Sequence, residues 1–140
     1  MSAPSIGYLL WDVSRLVRKR YTLESSSTCL TLAQAKALSH IATHQGVKQV
    51  ELAEFLEIKP MTLVPIIDSL VEEGFVERRP DPKDRRAHLI YLLPAADDQL
   101  KKIKSIADKV WSHALEGISE QEQKQFFSTL QNIHTNLTKF

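Results

Sequence analysis

Residues 49–94 read QVELAEFLEIKPMTLVPIIDSLVEEGFVERRPDPKDRRAHLIYLLP, and this stretch decides the fold. Its first part, QVELAEFLEI, supplies an apolar set of Val50, Leu52, Ala53, Leu56 and Ile58. Ala53 is the small member, where a second helix can cross closely. In the next part Leu63, Ile66, Ile67 and Leu70 follow the i, i+3, i+4, i+7 rule and are expected to face inward. The opposite face then carries Met61, Thr62, Val64, Pro65, Asp68 and Ser69. The remainder reads as two strands, about 75–78 and 88–92, around the charged loop PDPKDRRA. Both sides of the second strand are apolar, so its period-two pattern is not clean. Proline fixes φ and aspartate favours turns, so a tight, projecting tip is expected.

Two short helices followed by a basic hairpin form the plan of a helix-turn-helix with a β-wing. In that plan the second helix enters a major groove and the cationic loop reaches the flanking backbone or minor groove. The first turn of the outward face of residues 60–73 would read base edges. Thr and Met can touch a thymine methyl, and Thr62 can also hydrogen-bond. Asp84 is expected to brace Arg86, or Arg85, through a charge-assisted contact. An amphipathic helical hairpin beside a solvated, charged loop is the plainer reading of the same residues.

The 140-residue chain is 43% apolar, enough for one buried core, and a single domain over residues 1–140 is expected. No apolar run reaches membrane-span length, and the start MSAPSIGYLLWDV lacks a basic leader and a cleavage site. A cytoplasmic protein with no membrane partner is therefore expected. Cys29 is the only cysteine, which excludes an intrachain disulfide and a cysteine-based zinc finger. Net charge is only +1, but the cations are clustered. Arg15, Arg18, Lys19 and Arg20 crowd the first helix; Arg78, Arg79, Lys83, Arg85 and Arg86 crowd the hairpin.

Gly46, Gly74 and Gly117 stand where helices should end. Thr31 with Gln34, and Ser119 with Glu122, fit the capping-box pattern at helix starts. A first helix is expected over about 6–24, with Ile6, Leu9, Leu10, Val13, Leu16 and Val17 as a broad apolar stripe. A second is expected over about 32–45, then the pair at about 49–57 and 60–73, and two long helices at about 95–116 and 119–139. The fold class is mainly α with a small β-hairpin (α+β). No GxSxG, P-loop or HExxH pattern occurs, so no enzyme activity and no cofactor are expected.

The run LAEFLEI, the run IIDSLVEEGFVER and the wing DPKDRRA followed by a strand resemble the winged-helix core of the MarR/SlyA family of bacterial transcriptional regulators. Helix order and length extend the resemblance over essentially the whole chain. It implies a winged helix-turn-helix core at about 31–93, with dimerisation helices at about 5–25 and 95–139. It implies a homodimer whose two winged lobes bind a pseudo-palindromic double-stranded DNA operator, most simply as a repressor released by a small-molecule effector. The expected DNA-binding residues are Met61, Thr62, Val64, Pro65, Arg78, Lys83, Asp84, Arg85 and Arg86. Asp84 and Arg86 match the family's Asp-x-Arg wing pair.

The chain also departs from that pattern. Lys59 stands where a polar cap is usual, and Pro65 where arginine is often found. Either the helix bends, or its regular part starts near Thr62 with Thr62 as N-cap. Leu93 replaces a usual threonine, and Ala96 stands near a usual glycine. A protein-interaction module, with Val64 and Pro65 as a partner patch, is the rival from another class.

Relatives in the family take small aromatic acids in a cleft between the dimerisation helices and the winged lobe. Trp11, Arg15, Arg18 and His40 are the candidate residues for a small aromatic anionic effector here. Core packing for Trp11 and solvated dimer surface for the arginines is the alternative. His40 and His44 are i, i+4 neighbours, but no further cluster joins them, and no metal site is expected. Cys29 has no adjacent cation to activate it. Trp111 is read as core or dimer interface.

Overall fold

Thr31 starts the second helix with a complete capping box: its Oγ1 accepts the Gln34 N–H at 3.2 Å, and Gln34 Oε1 accepts the Thr31 N–H at 2.9 Å. The computed structural model describes residues 2–140. In chain order the elements are α1 (Ile6–Glu24), a 3₁₀ turn (Ser25–Ser27), α2 (Leu32–Thr43), β1 (Val47–Lys48), α3 (Gln49–Phe55) and α4 (Pro60–Glu72). There follow β2 (Val76–Asp81), β3 (Asp84–Leu92), a second 3₁₀ turn (Pro94–Ala96), α5 (Asp97–Ala114) and α6 (Glu120–Thr138). The strands form one antiparallel sheet in the order β1-β3-β2. The mainly α architecture with a small sheet is as the sequence implied, with one strand more than expected.

That extra strand explains why α2 stops at Thr43 rather than near residue 45. Gly46 donates its N–H to the Ile90 carbonyl at 2.9 Å, and Val47 pairs with Ile90. Gly46 has φ +83°, and a Cβ there would meet the Tyr91 Oη at 2.9 Å. Both conformation and space therefore demand glycine. The 3₁₀ turn at Pro94–Ala96 takes up the start expected for α5, and Asp97 and Asp98 fill the first turn of that helix. At Ser119 only half of the expected capping box forms. Its Oγ accepts the Glu122 N–H at 3.2 Å, while the Glu122 carboxylate turns to the same hydroxyl at 3.3 Å.

The core is shared by the winged elements and α2. Leu38 and Ile41 of α2, Leu52 of α3, Leu63, Ile67 and Leu70 of α4, Val76 of β2 and Ile90 of β3 are fully buried. Each such side chain contributes about 1.5–3 kcal/mol by leaving water. Ala53 is buried at the junction of α3 and α4, as its small size suggested, whereas Val50 is exposed and lies outside the core. Ile103 adds α5 to the cluster. Glu24 joins α1 to α5: its carboxylate takes Lys109 and Arg20, each at 2.8 Å. The Lys109 hydrogen bond is the main reason its acidity is raised above that of an ordinary glutamate.

Neither α1 nor α6 buries a single residue. The apolar stripe of α1 faces solvent, and so do Phe126, Phe127 and Leu137 of α6. Trp111 is also exposed, which removes it from the core. No helix among the described residues is long and apolar enough to cross a membrane.

Candidate nucleic-acid interface and effector cleft

The second helix of the pair begins at Pro60, with Lys59 as N-cap and no side-chain cap. Thr62 N–H and Leu63 N–H both reach the Lys59 carbonyl, at 2.9 and 3.2 Å. Thr62 is therefore the third residue of α4 and not its cap. Pro65 lies inside the helix. It lacks the N–H that Met61 C=O would accept, but Met61 is 85% exposed and its carbonyl can face water. Leu63, Ile67 and Leu70 point into the core, so Met61, Thr62, Val64, Pro65 and Asp68 are left on the solvent face, as the spacing required.

The wing is longer and more ordered than the sequence suggested. β2 and β3 continue almost to the tip, leaving Pro82 and Lys83 as the turn. Asp81 Oδ1 accepts the Lys83 N–H at 2.9 Å, and Asp84 Oδ1 accepts the Arg86 N–H at 3.0 Å. Both carboxylates thus fix the backbone of the turn. The expected brace between Asp84 and a guanidinium does not form; the aspartate bonds two residues on along its own chain, as Asx turns do.

The five hairpin cations divide into two groups. Arg78 is only 23% exposed and is tied on three sides: to Asp68 at 2.7 Å, Gln49 Oε1 at 3.0 Å and the Val64 carbonyl at 3.4 Å. Arg79 bonds Glu77 at 2.6 Å and lies over the Tyr91 ring at 3.8 Å. Arg78 was grouped in sequence with the DNA-contacting cations; in this structure its guanidinium links α3 and α4 to the sheet. Lys83, Arg85 and Arg86 are exposed and join no ion pair among the described residues. A notch of about 190 Å³ separates the start of α4 from the base of the wing, with Met61 and Val64 on one side and Arg86 and His88 on the other. Lys48 closes its end. Sequence reading missed Lys48 and His88; alternation along β3 places His88 two residues from Arg86, on the same face.

A second, larger cavity of about 690 Å³ lies between α1, α2, the α3–α4 link and α5. Arg18 and His40 line it, as expected. Trp11 and Arg15 do not: Trp11 sits exposed beside Tyr8, and Arg15 pairs with Asp12 at 2.7 Å. Tyr21, Lys36, His44 and Phe55 line it instead. Their signal was present, since Tyr21 is i+3 from Arg18 and Lys36 is i−4 from His40. The His40 ring is sandwiched between His44, at 4.0 Å, and Phe55, at 3.8 Å. Burial, then the neighbouring His44, holds its pKa below the ordinary histidine value. Tyr21 Oη is buried with no hydrogen-bond partner, and burial raises its pKa. Among the described residues no group of three or more His, Cys, Asp or Glu side chains is placed to hold a metal.

A helix pair whose outer face is open, followed by a hairpin that projects bare cations, defines a winged helix-turn-helix protein of the transcriptional-regulator class. The solved structures that the chain matches agree. A transcriptional regulator, PA3341, is 34% identical with a TM-score of 0.79, over 97% of this chain and all (100%) of that one. A MarR structure is 25% identical with a TM-score of 0.82, over 98% of this chain and 100% of that one. CouR from Rhodococcus jostii RHA1, in a structure bound to p-coumaroyl-CoA, is 26% identical with a TM-score of 0.75, over 92% and 91% of the two chains. The MarR family profile itself matches residues 30–88, from the start of α2 into β3. The chain belongs to the MarR family.

Proposed function

We propose that the chain is a sequence-specific regulator that binds double-stranded DNA as a homodimer and acts as a repressor released by a small molecule. The observation that carries this reading is the unpaired cationic wing of Lys83, Arg85 and Arg86 beside the open face of α4. Three exposed cations at one tip attract phosphate and release counterions, so binding is salt-dependent. The exposed stripes of α1 and α6 support a dimer, because a monomer would leave those leucines and phenylalanines in water. Two lobes related by a two-fold axis would read a pseudo-palindromic operator.

The cavity at Arg18, Lys36, His40 and Tyr21 supports an effector that is small, aromatic and anionic. Two cations line it, the stack of Phe55, His40 and His44 gives it an aromatic wall, and the buried Tyr21 hydroxyl lacks a partner. CouR's ligand, p-coumaroyl-CoA, gives a precedent within the family for a small-molecule partner.

The test is fluorescence anisotropy of the protein against a pool of random duplexes as salt is raised. The expected result is tight binding at low salt that falls steeply as salt rises, and enrichment of a two-fold symmetric site on repeated selection. Absence of any duplex binding at low salt would overturn the reading in favour of a protein-interaction module.

A further inference from the structure

We infer that this protein reads its operator through the methyl groups of thymine rather than through guanine. The inference rests on the DNA-binding reading above and concerns which bases the open face of α4 can recognise. Guanine is most often read by an arginine or lysine donating to O6 and N7 in the major groove. The exposed face of α4 holds none. From Met61 to Ser69 its side chains are Met61, Thr62, Val64, Pro65 and Asp68, with Ser69 half-buried beside them. The guanidinium of Arg78, beside that face, is already engaged by Asp68, Gln49 and the Val64 carbonyl. Asp68 is in turn paired with Arg78 at 2.7 Å, which offsets the one carboxylate in the first two and a half turns of that face; Glu72 lies a turn further on, at the helix end.

What remains is apolar and projecting. Met61 is 85% exposed and Val64 41%, and Pro65 continues the patch one residue on. An apolar patch of this kind normally marks a binding surface, and its surroundings specify the occupant. Arg86 lines the notch together with Met61 and Val64, and Lys48 lines it too. Lys83 and Arg85 continue the charge outward along the wing. An apolar patch bordered by cations fits a polyanion that presents methyl groups between its phosphates. The major groove of a thymine-bearing duplex does so, because the thymine C5-methyl is the one apolar group on any base edge there. Thr62, exposed at the edge of the patch, adds a methyl of its own and a hydroxyl that can bond a base edge.

The experiment starts from a duplex selected by the protein out of a random pool. Each thymine in the selected half-site is replaced in turn by uracil, which lacks only the methyl. In a parallel series each guanine is replaced by 7-deazaguanine, which lacks the N7 acceptor. The expected result is about fourfold weaker binding for each contacted methyl removed, with the salt dependence unchanged. The deazaguanine series stays within about twofold. The double variant Met61→Ala, Val64→Ala is expected to bind thymine and uracil duplexes equally; both residues are exposed, so its melting temperature stays near that of the wild type. Uracil tolerated throughout while deazaguanine abolishes binding would overturn the inference and leave DNA binding intact. No duplex recovered from the pool at low salt would remove the DNA reading, and this inference with it.

Discussion

Arg78 of β2 holds Asp68 of α4 at 2.7 Å, and with the same guanidinium it reaches Gln49 at the start of α3. One side chain thus sets the angle between the two helices and the sheet that carries the wing. Charge-assisted bonds at a partly buried site are worth more than surface pairs, though Asp68 itself is open to solvent. Replacing Arg78 by methionine is expected to cost about 1 kcal/mol of stability. Operator affinity should fall as well, because α4 is no longer held. The slope of affinity against salt is expected to stay as in the wild type, since the Arg78 charge is already paired with Asp68. Thermal melting and a salt series of anisotropy titrations read the two effects separately. A shallower slope would return Arg78 to the phosphate-contacting set.

Arg86 should behave in the opposite way. Only its backbone N–H is engaged, by Asp84 at 3.0 Å, and its side chain is exposed. Arg86→Ala is expected to weaken operator binding by about 1–3 kcal/mol, lower the salt slope by about one, and leave the melting curve nearly unchanged. A gel-shift titration with unchanged affinity would contradict the role given to the wing.

The difference between these two arginines marks the limit of what the sequence could show. Apolar spacing, glycines and capping residues placed all six helices, because those signals are local and strong. The strand β1 escaped because two residues, Val47 and Lys48, carry no alternation to detect. Five cations in one hairpin were visible, but their sorting depends on partners distant in sequence: Arg78 meets Asp68, and Arg79 stacks on Tyr91. Trp11 and Arg15 fall outside the cavity lining for a related reason. The stripe of α1 shows which residues share a face, but not whether this chain or another copy covers it. Arg15 could have been discounted, since Asp12 stands three residues before it on the same helix face.

Glu57 has φ +57°, the one positive φ among the described non-glycine residues. It ends α3 in the left-handed conformation: Ile58 N–H returns to the Ala53 carbonyl at 3.1 Å, closing the helix end. A side chain with a Cβ is strained there, and glycine is not. Glu57→Gly is expected to stabilise the fold by about 0.5–1 kcal/mol and raise the melting temperature by about 2–4 °C. A drop in melting temperature would show that the Glu57 carboxylate, which lines the cavity between α1 and α2, contributes more than the strain costs.

The exposed stripes of the terminal helices predict the oligomeric state. Phe127 is 62% exposed on α6, and Leu16 is 48% exposed on α1. Each would gain about 1–2 kcal/mol by burial against a second copy. Light scattering at micromolar concentration is expected to give a dimer mass for the wild type. Phe127→Glu should shift the mass toward the monomer, because a carboxylate on that stripe would be buried without a partner. A wild-type monomer at that concentration would exclude the dimer.

The His40 stack predicts how stability responds to acid. His40 lies between His44 and Phe55, and its environment favours the neutral ring through burial first and through His44 second. Arg18 on α1 and Lys36 on α2 are the other cations lining the same cavity, and Glu57, at the α3–α4 link, is its carboxylate. A pKa lower in the folded than in the unfolded state means that the unfolded chain binds the proton first. Stability from this group is therefore whole above the unfolded value of about 6.5. It falls as pH drops from there to the lowered folded value, and levels off below it. Melting temperature should decline across that window, and His40→Gln, which cannot take a proton, should flatten the decline while keeping a polar ring-sized side chain in the stack. Equal slopes in the two proteins would place the acid sensitivity of that window elsewhere, and not at Glu24, whose lowered pKa acts only below the ordinary glutamate range.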